Sequence, residues 1–306
     1  MTSTASPLNI AVMGAGAVGC YFGGMLARAG HRVTLIGRPH HVEAINRDGL
    51  RMETTRFDET IPLASTSDVG AVSDAQLVLF CVKSGDTEMA GQLIKPYLPK
   101  QTVVLCMQNG CDNDVRLRAV LDEAEVVAAV VYVGAEMAGP GHLKHHGRGE
   151  LLLDPVRNIA DLATIFNEAE IPAQLSDDVR GQLWLKLTLN CAYNAISAIS
   201  LKPYGETVGS PGVQDVMRDV VNECLAIAKC EGITVPGDVN IAVRKLVEAM
   251  PKQMASTAQD LMRGKPTEID FLNGHVVRRG KALGIPTPAN QVLWALVKLV
   301  EHKSAS

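Results

Sequence analysis

One stretch near the amino terminus decides the fold: it reads NIAVMGAGAVG and covers residues 9–19. Its mostly apolar start is typical of a buried strand, and the glycines that follow have the spacing G-x-G-x-x-G directly before a helical pattern. In this context the first glycine permits a tight turn, the second lets the backbone approach a pyrophosphate, and the third allows close packing. The helix N-terminus attracts the anion. We therefore predict a dinucleotide-binding loop that consists of Gly14, Ala15, Gly16, Ala17, Val18 and Gly19. The alternative is a glycine-rich loop without a ligand.

The rest of the first half alternates short β-branched runs with helical patterns, which is typical of parallel strands joined by crossover helices. Strands are predicted at residues 8–13, 32–36, 77–82, 102–107 and 126–133, and helices at 18–29, 40–47, 87–97 and 113–121. These patterns predict an α/β fold with a Rossmann-type doubly wound sheet. Residues 134–153, rich in Gly and His, indicate an antiparallel extension of that sheet, followed by a helix at 159–169 and a strand at 172–175.

Beyond residue 176 the pattern becomes almost wholly helical. Helices are predicted at residues 178–200, 213–231, 239–249, 267–283 and 289–302. We therefore expect two domains, a Rossmann-like domain at 1–176 and an all-helical C-terminal domain at 177–306.

Composition excludes several classes of protein. The net charge of −4 and the aromatic content of 4% argue against a nucleic-acid partner. The seven cysteines are an odd number without C-x-x-C spacing, which argues against structural disulfides. No apolar run approaches the roughly 20 residues that span a bilayer. The polar start also lacks the features of a secretory signal. We expect a cytoplasmic protein without a membrane partner.

The end of the second predicted strand distinguishes the two nicotinamide dinucleotides. An acidic residue there would bind the ribose 2′-hydroxyl of NAD, but the sequence reads Leu35-Ile36-Gly37-Arg38. The planar cation of Arg38 suits a 2′-phosphate. We therefore expect NADP(H) as cofactor with Arg38 as a binding residue, the alternative being a solvated loop charge.

Two later strand ends carry further polar residues. Lys83 and Asn109 each follow a predicted strand, and ligands of such sheets bind at the carboxyl ends of the strands. We expect both residues to contact the cofactor. The alternatives are a surface lysine at a helix start and a simple Asn-Gly turn.

A polar stripe crosses the most apolar predicted helix. Lys186, Asn190 and Asn194 are spaced i, i+4 and i+8, which places them within about 80° on one helix face over about 12 Å. An ammonium and two amides in a row suit a cleft better than a core. The alternative is asparagines that cross-link buried helices and a lysine that reaches water.

Two more residues stand out near the C-terminus, Ser256 and Glu268. On spacing alone, Thr267 and Glu268 would simply start a helix and stabilise its dipole. The histidines at 142, 145 and 146 do not predict a metal site, because no i, i+4 pair falls on a predicted helix. We expect them to line an exposed hairpin.

Together these motifs resemble the ketopantoate reductase (2-dehydropantoate 2-reductase) family along essentially the whole chain. The residues that carry the resemblance are Gly14-x-Gly16-x-x-Gly19, Lys83, Gln108-Asn109-Gly110, Lys186-x-x-x-Asn190-x-x-x-Asn194, Ser256 with Gln259-Asp260, and Thr267-Glu268-Ile269-Asp270 with Asn273-Gly274. The resemblance implies reduction of a 2-oxo acid with NADPH, between a Rossmann domain and a helical domain. It also implies site roles: Lys186 catalytic, Asn190, Asn194, Ser256 and Glu268 substrate-binding, and Lys83 and Asn109 lining the cofactor and hinge. We further count Glu268 as catalytic, because it would accept a hydrogen bond from a substrate hydroxyl or position Lys186.

Three departures from the family pattern fall on the substrate side. The chain has Tyr204 where Asn is frequent, Gln253 where Asn is common, and Ala195 where Pro is frequent. They leave the identity of the 2-oxo acid open.

The leading hypothesis is reduction of ketopantoate to pantoate in the pantothenate branch of coenzyme A synthesis. Another branched or hydroxylated 2-oxo acid is the nearest alternative, and a non-catalytic NADP(H) sensor is a third. The stripe at Lys186 argues against a sensor, which needs no proton donor for an emerging alkoxide. Apolar positions on the helical half fit a homodimer interface or the core between domains.

Overall fold

The computed structural model describes residues 6–159 and 161–304, so Ala160, within the predicted helix 159–169, lies outside it. The described chain forms two compact units. The first contains the residues up to Gln108 and then Asp112–Val179, and the second contains Asn109–Cys111 and the residues from Arg180 onward. A tripeptide between two elements of the first unit therefore belongs to the second.

The described part of the first unit contains one ten-stranded sheet. Its strands are β1 (Asn9–Met13), β2 (Arg32–Ile36), β3 (Leu50–Glu53), β4 (Asp58–Ile61), β5 (Ala64–Thr66), β6 (Leu77–Phe80), β7 (Val103–Cys106), β8 (Glu125–Gly139), β9 (His142–Leu153) and β10 (Ala173–Leu175). The order is β4-β3-β9-β8-β7-β6-β1-β2-β5, with β10 beside β9. The pairs from β5 to β8 are parallel, whereas β8 and β9 are antiparallel. This confirms the predicted fold class.

Side-chain alternation on the central strands produces a core on each face of the sheet. Ile10 and Val12 of β1 join one cluster, and Ala11 and Met13 join the other. Helix α1 (Ala17–Arg28) covers the first face, while α3 (Thr87–Ile94) and α4 (Asn113–Arg118) cover the second. The unit also contains α2 (Pro39–Asp48) and α5 (Leu162–Glu168). Helices on both faces are the reason for the near-continuous apolar runs in the sequence.

The described part of the second unit is helical. Its helices are α6 (Val179–Ser200), α7 (Tyr204–Val208), α8 (Val213–Cys230), α9 (Val239–Ala249), α10 (Ser256–Met262), α11 (Asn273–Leu283) and α12 (Pro288–Ser304). None of the helices in the described ranges is both long and apolar enough to cross a membrane.

The predicted helix at 267–283 is wrong in its first turn. Residues 267–272 form a turn that contains a short 3-10 helix, Ile269–Phe271, and α11 begins only at Asn273. Leu272 has φ −110° and ψ −107°, which no α-helix accommodates. Polar groups of this turn bond to α12 instead of continuing a helical ladder.

Candidate functional site

The glycine loop after β1 is closed tightly against its surroundings. Gly14 has φ +110°, and the N–H groups of Gly14 and Ala15 both donate to the Ile36 carbonyl at 3.0 Å. A Cβ added to Gly14 would lie 2.8 Å from the Cys81 carbonyl carbon, and one on Gly19 would lie 2.2 Å from the Gly14 oxygen. The first and third glycines of the motif are therefore required by the backbone itself.

The second glycine has a different environment. Gly16 caps α1 with φ −89°, is exposed, and an added Cβ would meet no atom within 4 Å. It has no side chain to accept from the first-turn N–H groups, and that turn carries no acidic residue. Ala17 and Val18 begin the helix and are half-buried. Open space before a positively polarised helix end fits a pyrophosphate, so the residues present are compatible with a dinucleotide.

Two exposed cations lie at strand ends in the same unit. Arg38 follows β2 and precedes Pro39, the first residue of α2, whose first turn contains no acidic residue. Lys83 follows β6 and caps the short 3-10 helix Ser84–Asp86. Cys81, between β6 and Lys83, is a thiol whose pKa is raised by burial. It is therefore an uncharged apolar neighbour of the loop.

The second unit brings three of the predicted site residues together. The Lys186 Nζ donates to the Asn109 Oδ1 at 3.1 Å, and the Asn109 Nδ2 donates to the Glu268 Oε2 at 3.2 Å. All three side chains are half-buried. An ammonium only donates and a carboxylate only accepts. The Asn109 amide oxygen must therefore face Lys186, and its NH2 group must face Glu268.

The tripeptide that carries Asn109 is held by two further side chains. The Arg180 guanidinium donates to the Cys111 carbonyl, and the Cys111 Sγ lies 3.5 Å from the His275 Nε2. Gly110 has φ +101°, a conformation that glycine adopts without strain. Nothing in the sequence pattern pointed to Arg180 or His275, since both contacts join residues distant along the chain.

The remaining predicted substrate residues occupy different environments. Asn190 is half-buried and Ser256 is exposed at the first position of α10. Asn194, however, is only 3% exposed, and its Oδ1 accepts from the Tyr204 hydroxyl at 3.3 Å. The Tyr204 ring packs on Tyr193, 4.6 Å between centroids, and burial raises the pKa of Tyr204. A residue noted only as a departure from the family pattern is thus a direct partner of Asn194.

The three histidines of the β8–β9 region have protein partners. His142 lies 3.2 Å from Glu53, His146 lies 3.0 Å from Glu136, and the His145 Nε2 is 2.7 Å from the Arg148 carbonyl oxygen. Within residues 6–159 and 161–304 there is no group of three or more His, Cys, Asp or Glu side chains that could hold a metal ion.

Comparison with known proteins identifies the family of this chain. The family model for ketopantoate reductase PanE/ApbA matches residues 10–158, and the model for its C-terminal part matches residues 178–301. The chain belongs to the ketopantoate reductase family. The resemblance inferred from its motifs is confirmed.

Individual relatives cover nearly the whole chain. The 2-dehydropantoate 2-reductase of Pyrococcus horikoshii is 33% identical and is matched over 96% of this chain and 98% of its own length. The crystal structure of a PanE/ApbA family ketopantoate reductase from Ralstonia eutropha is 59% identical, with a TM-score of 0.95, over 98% of this chain and all of that one. A D-mandelate dehydrogenase solved with NADH and anilino(oxo)acetate is 27% identical, with a TM-score of 0.89, over 98% of this chain and all of that one.

Proposed function

We propose that this chain reduces ketopantoate to pantoate with NADPH, as a 2-dehydropantoate 2-reductase of pantothenate synthesis. The observation that carries the proposal is the hydrogen-bonded series Lys186–Asn109–Glu268, which supports Lys186 as the proton donor in a protein that also has a glycine loop suited to a dinucleotide. The names of the full-length relatives support the choice of substrate.

The two predicted domains have separate roles in this proposal. Residues 1–176 bind NADP(H), with the loop from Gly14 to Gly19 at the pyrophosphate, Arg38 at the 2′-phosphate and Lys83 nearby. Residues 177–306 bind the 2-oxo acid and protonate it. Asn109 contacts the cofactor and also accepts a hydrogen bond from the catalytic lysine.

The residues of the helical unit would act on the carbonyl that is reduced. NADPH supplies the hydride when it is bound. Negative charge then develops on the ketone oxygen, and the Lys186 ammonium stabilises it and donates the proton. One Lys186 N–H is held by the Asn109 Oδ1, which orients the remaining two. Glu268 fixes the Asn109 amide in the orientation that this requires.

Three polar residues would bind the rest of the substrate. Ser256 is accessible and binds the carboxylate, while Asn190 orients a substrate oxygen. Asn194 keeps its Nδ2 donor for the substrate because its Oδ1 already accepts from Tyr204. Binding at Asn194 requires the buried amide to become accessible when substrate enters.

A second substrate remains a candidate because of Tyr204. Its ring lies beside Asn194, and the similar D-mandelate dehydrogenase holds anilino(oxo)acetate, an aromatic 2-oxo acid. A larger or aromatic 2-oxo acid is therefore the alternative to ketopantoate. The chemistry at Lys186 is the same for both.

We also propose a cytoplasmic homodimer. All seven cysteines are free thiols, and five of them are buried, which fits a reducing compartment. On α12, the exposed apolar side chains of Val292, Leu296 and Leu299 support a partner surface. Light scattering coupled to gel filtration tests the dimer.

The decisive experiment measures NADPH oxidation with a panel of 2-oxo acids. We expect the highest kcat/KM with ketopantoate, and turnover reduced by about 100-fold or more in Lys186→Ala while NADPH still binds. Lys252→Ala, which removes an exposed lysine of the same unit, is the control. Near-normal turnover in Lys186→Ala would remove the assigned proton donor, and no turnover with any 2-oxo acid would favour an NADP(H) sensor.

A further inference from the structure

Helix α12 presents three polar side chains to the turn that carries Glu268. Trp294, Lys298 and Glu301 are spaced i, i+4 and i+7, so they share one face of the helix. Each of the three contacts a residue of the turn or another member of the row. The exposed apolar side chains of α12, Val292, Leu296 and Leu299, lie at other positions of the helix.

The backbone on the N-terminal side of Glu268 is fixed by one carboxylate. The Glu301 Oε1 accepts from the Thr267 N–H at 2.8 Å and also from the Thr267 hydroxyl. The same hydroxyl oxygen accepts from the Ile269 N–H at 3.2 Å. The Glu301 side chain is 13% exposed, so solvent screens these bonds only weakly.

The C-terminal side of Glu268 is fixed by a second carboxylate. The Asp270 Oδ1 accepts from the Trp294 indole N–H at 2.7 Å, and its Oδ2 accepts from the Lys298 ammonium at 3.0 Å. That ammonium also lies 2.6 Å from the Glu301 Oε2, which links the two carboxylates. Burial lowers the pKa of Lys298, but hydrogen bonds to Glu301 and Asp270 outweigh it and leave the pKa raised. The lysine therefore stays charged near neutral pH.

The consequence concerns the one residue between these anchors. Because Thr267 and Asp270 are both bonded to α12, the backbone of Glu268 is anchored to that helix on both sides, and its carboxylate accepts from Asn109. Asn109 in turn accepts from Lys186. The contacts thus run without interruption from α12 to the ammonium of α6.

We propose that Glu301 and Asp270 are positioning residues that act through Glu268 and Asn109 to set the orientation of the Lys186 ammonium. This inference rests on the proposed function, because it assigns a catalytic consequence to the network. A network that served stability alone would lower the melting temperature when broken and leave the turnover of folded protein unchanged.

A double-mutant cycle separates the two possibilities. Glu301→Ala should lower kcat by about tenfold to a hundredfold, the effect of a displacement of about 1 Å in a catalytic group, without changing the affinity for NADPH. In a Glu268→Ala background the same change should cause little further loss, because no side-chain oxygen remains there to accept from Asn109 and the path is already interrupted. Glu301→Gln should recover most of the rate, since the amide oxygen still accepts both Thr267 bonds. Losses that add fully in the double variant overturn the proposal.

The experiment also needs a matched control variant and an alternative variant of the network. Asp215→Asn breaks an exposed ion pair with Arg218 on α8 and should leave kcat and its pH profile unchanged. If Glu301→Ala does not fold, the same cycle is run with Asp270→Asn, which keeps an oxygen for the Trp294 indole and removes the charge partner of Lys298.

A readout without turnover distinguishes failure of this inference from failure of the proposed function. The rate at which acetic anhydride acetylates Lys186, measured by mass spectrometry against exposed Lys252 in the same sample, should change severalfold in Glu301→Ala. An unchanged rate in folded protein overturns the inference, whatever the activity. If the unmodified chain has no reductase activity, but the acetylation rate of Lys186 still changes in Glu301→Ala, only the proposed function is refuted.

Discussion

The glycine loop allows a prediction in which two neighbouring substitutions impair different properties of the protein. Gly19→Ala places a methyl group 2.2 Å from the Gly14 carbonyl oxygen and 2.8 Å from the Val12 Cγ1. Gly16→Ala places the same group where no protein atom lies within 4 Å, at a φ of −89° that alanine adopts freely. We expect the first variant to lose stability and the second to lose NADPH affinity.

The expected magnitudes follow from these contacts. Overpacking of the Gly19 kind costs about 1–3 kcal/mol, which lowers the melting temperature by roughly 3–10 °C in a domain of this size. For Gly16→Ala, a weaker helix cap and a less flexible unfolded chain nearly cancel, so stability should change by less than about 1 kcal/mol. A methyl group that removes one charge-assisted hydrogen bond to the pyrophosphate weakens binding by about tenfold to a hundredfold.

The assay combines thermal melts of the free protein with calorimetric titration of NADPH. Gly30→Ala is unsuitable as a control because of its φ of +97°, so Ala29→Ser, at the end of α1 away from the loop, serves instead. NADPH affinity in Gly16→Ala equal to that of the unmodified chain would refute the assignment of the loop. A Gly19→Ala protein with an unchanged melt would refute the packing argument.

Three further predictions concern single side chains. Arg38→Ala should weaken NADPH binding by about tenfold or more and NADH binding much less; equal losses would contradict the 2′-phosphate assignment. The hydrogen bond from Arg116 lowers the pKa of Glu88 from its usual value of 4.5. The pair therefore stabilises the folded state above pH 4.5, and this stabilisation is lost as the pH falls through the lowered pKa of the folded state. Glu88→Gln should therefore be less stable in urea at neutral pH, by under about 1 kcal/mol because the carboxylate is 47% exposed, and the difference from the unmodified chain should shrink as the pH falls below 4.5. Tyr204→Phe leaves the buried Asn194 Oδ1 without its donor and should cost about 1–3 kcal/mol in thermal melts; no change would mean that the amide finds another partner.

Sequence patterns predicted the elements whose apolar positions follow a clear period or run. Strands β1 and β2 and helix α9 lie where the periodicity placed them, because each has a continuous apolar face or run. Strands β3 and β4 were not predicted: Asp58–Ile61 is exposed at three of its four positions, so no alternation marks it. An edge strand such as β4 is stabilised by pairing to its neighbour β3, which a local window does not contain.

The site was predicted unevenly for a related reason. Spacing along one helix is local, so Lys186, Asn190 and Asn194 stood out from the sequence. Their partners come from far along the chain: Asn109 reaches Lys186 across 77 positions and Glu268 across 159. Nor did periodicity reveal that 267–272 is a turn, since Thr267 and Glu268 also suit a helix start. The side chains of α12 that decide the matter follow some 30 residues later.

The membership of residues 109–111 in the second unit has a consequence for anyone who divides or recombines this chain. The polypeptide enters the helical unit at Asn109, leaves it after Cys111 and returns at Arg180. A fragment that starts at 180 would therefore carry the lysine and the glutamate of the hydrogen-bonded series without the amide that joins them. A hybrid enzyme that takes its helical half from one parent should take the tripeptide from that same parent, although it is encoded some seventy codons upstream.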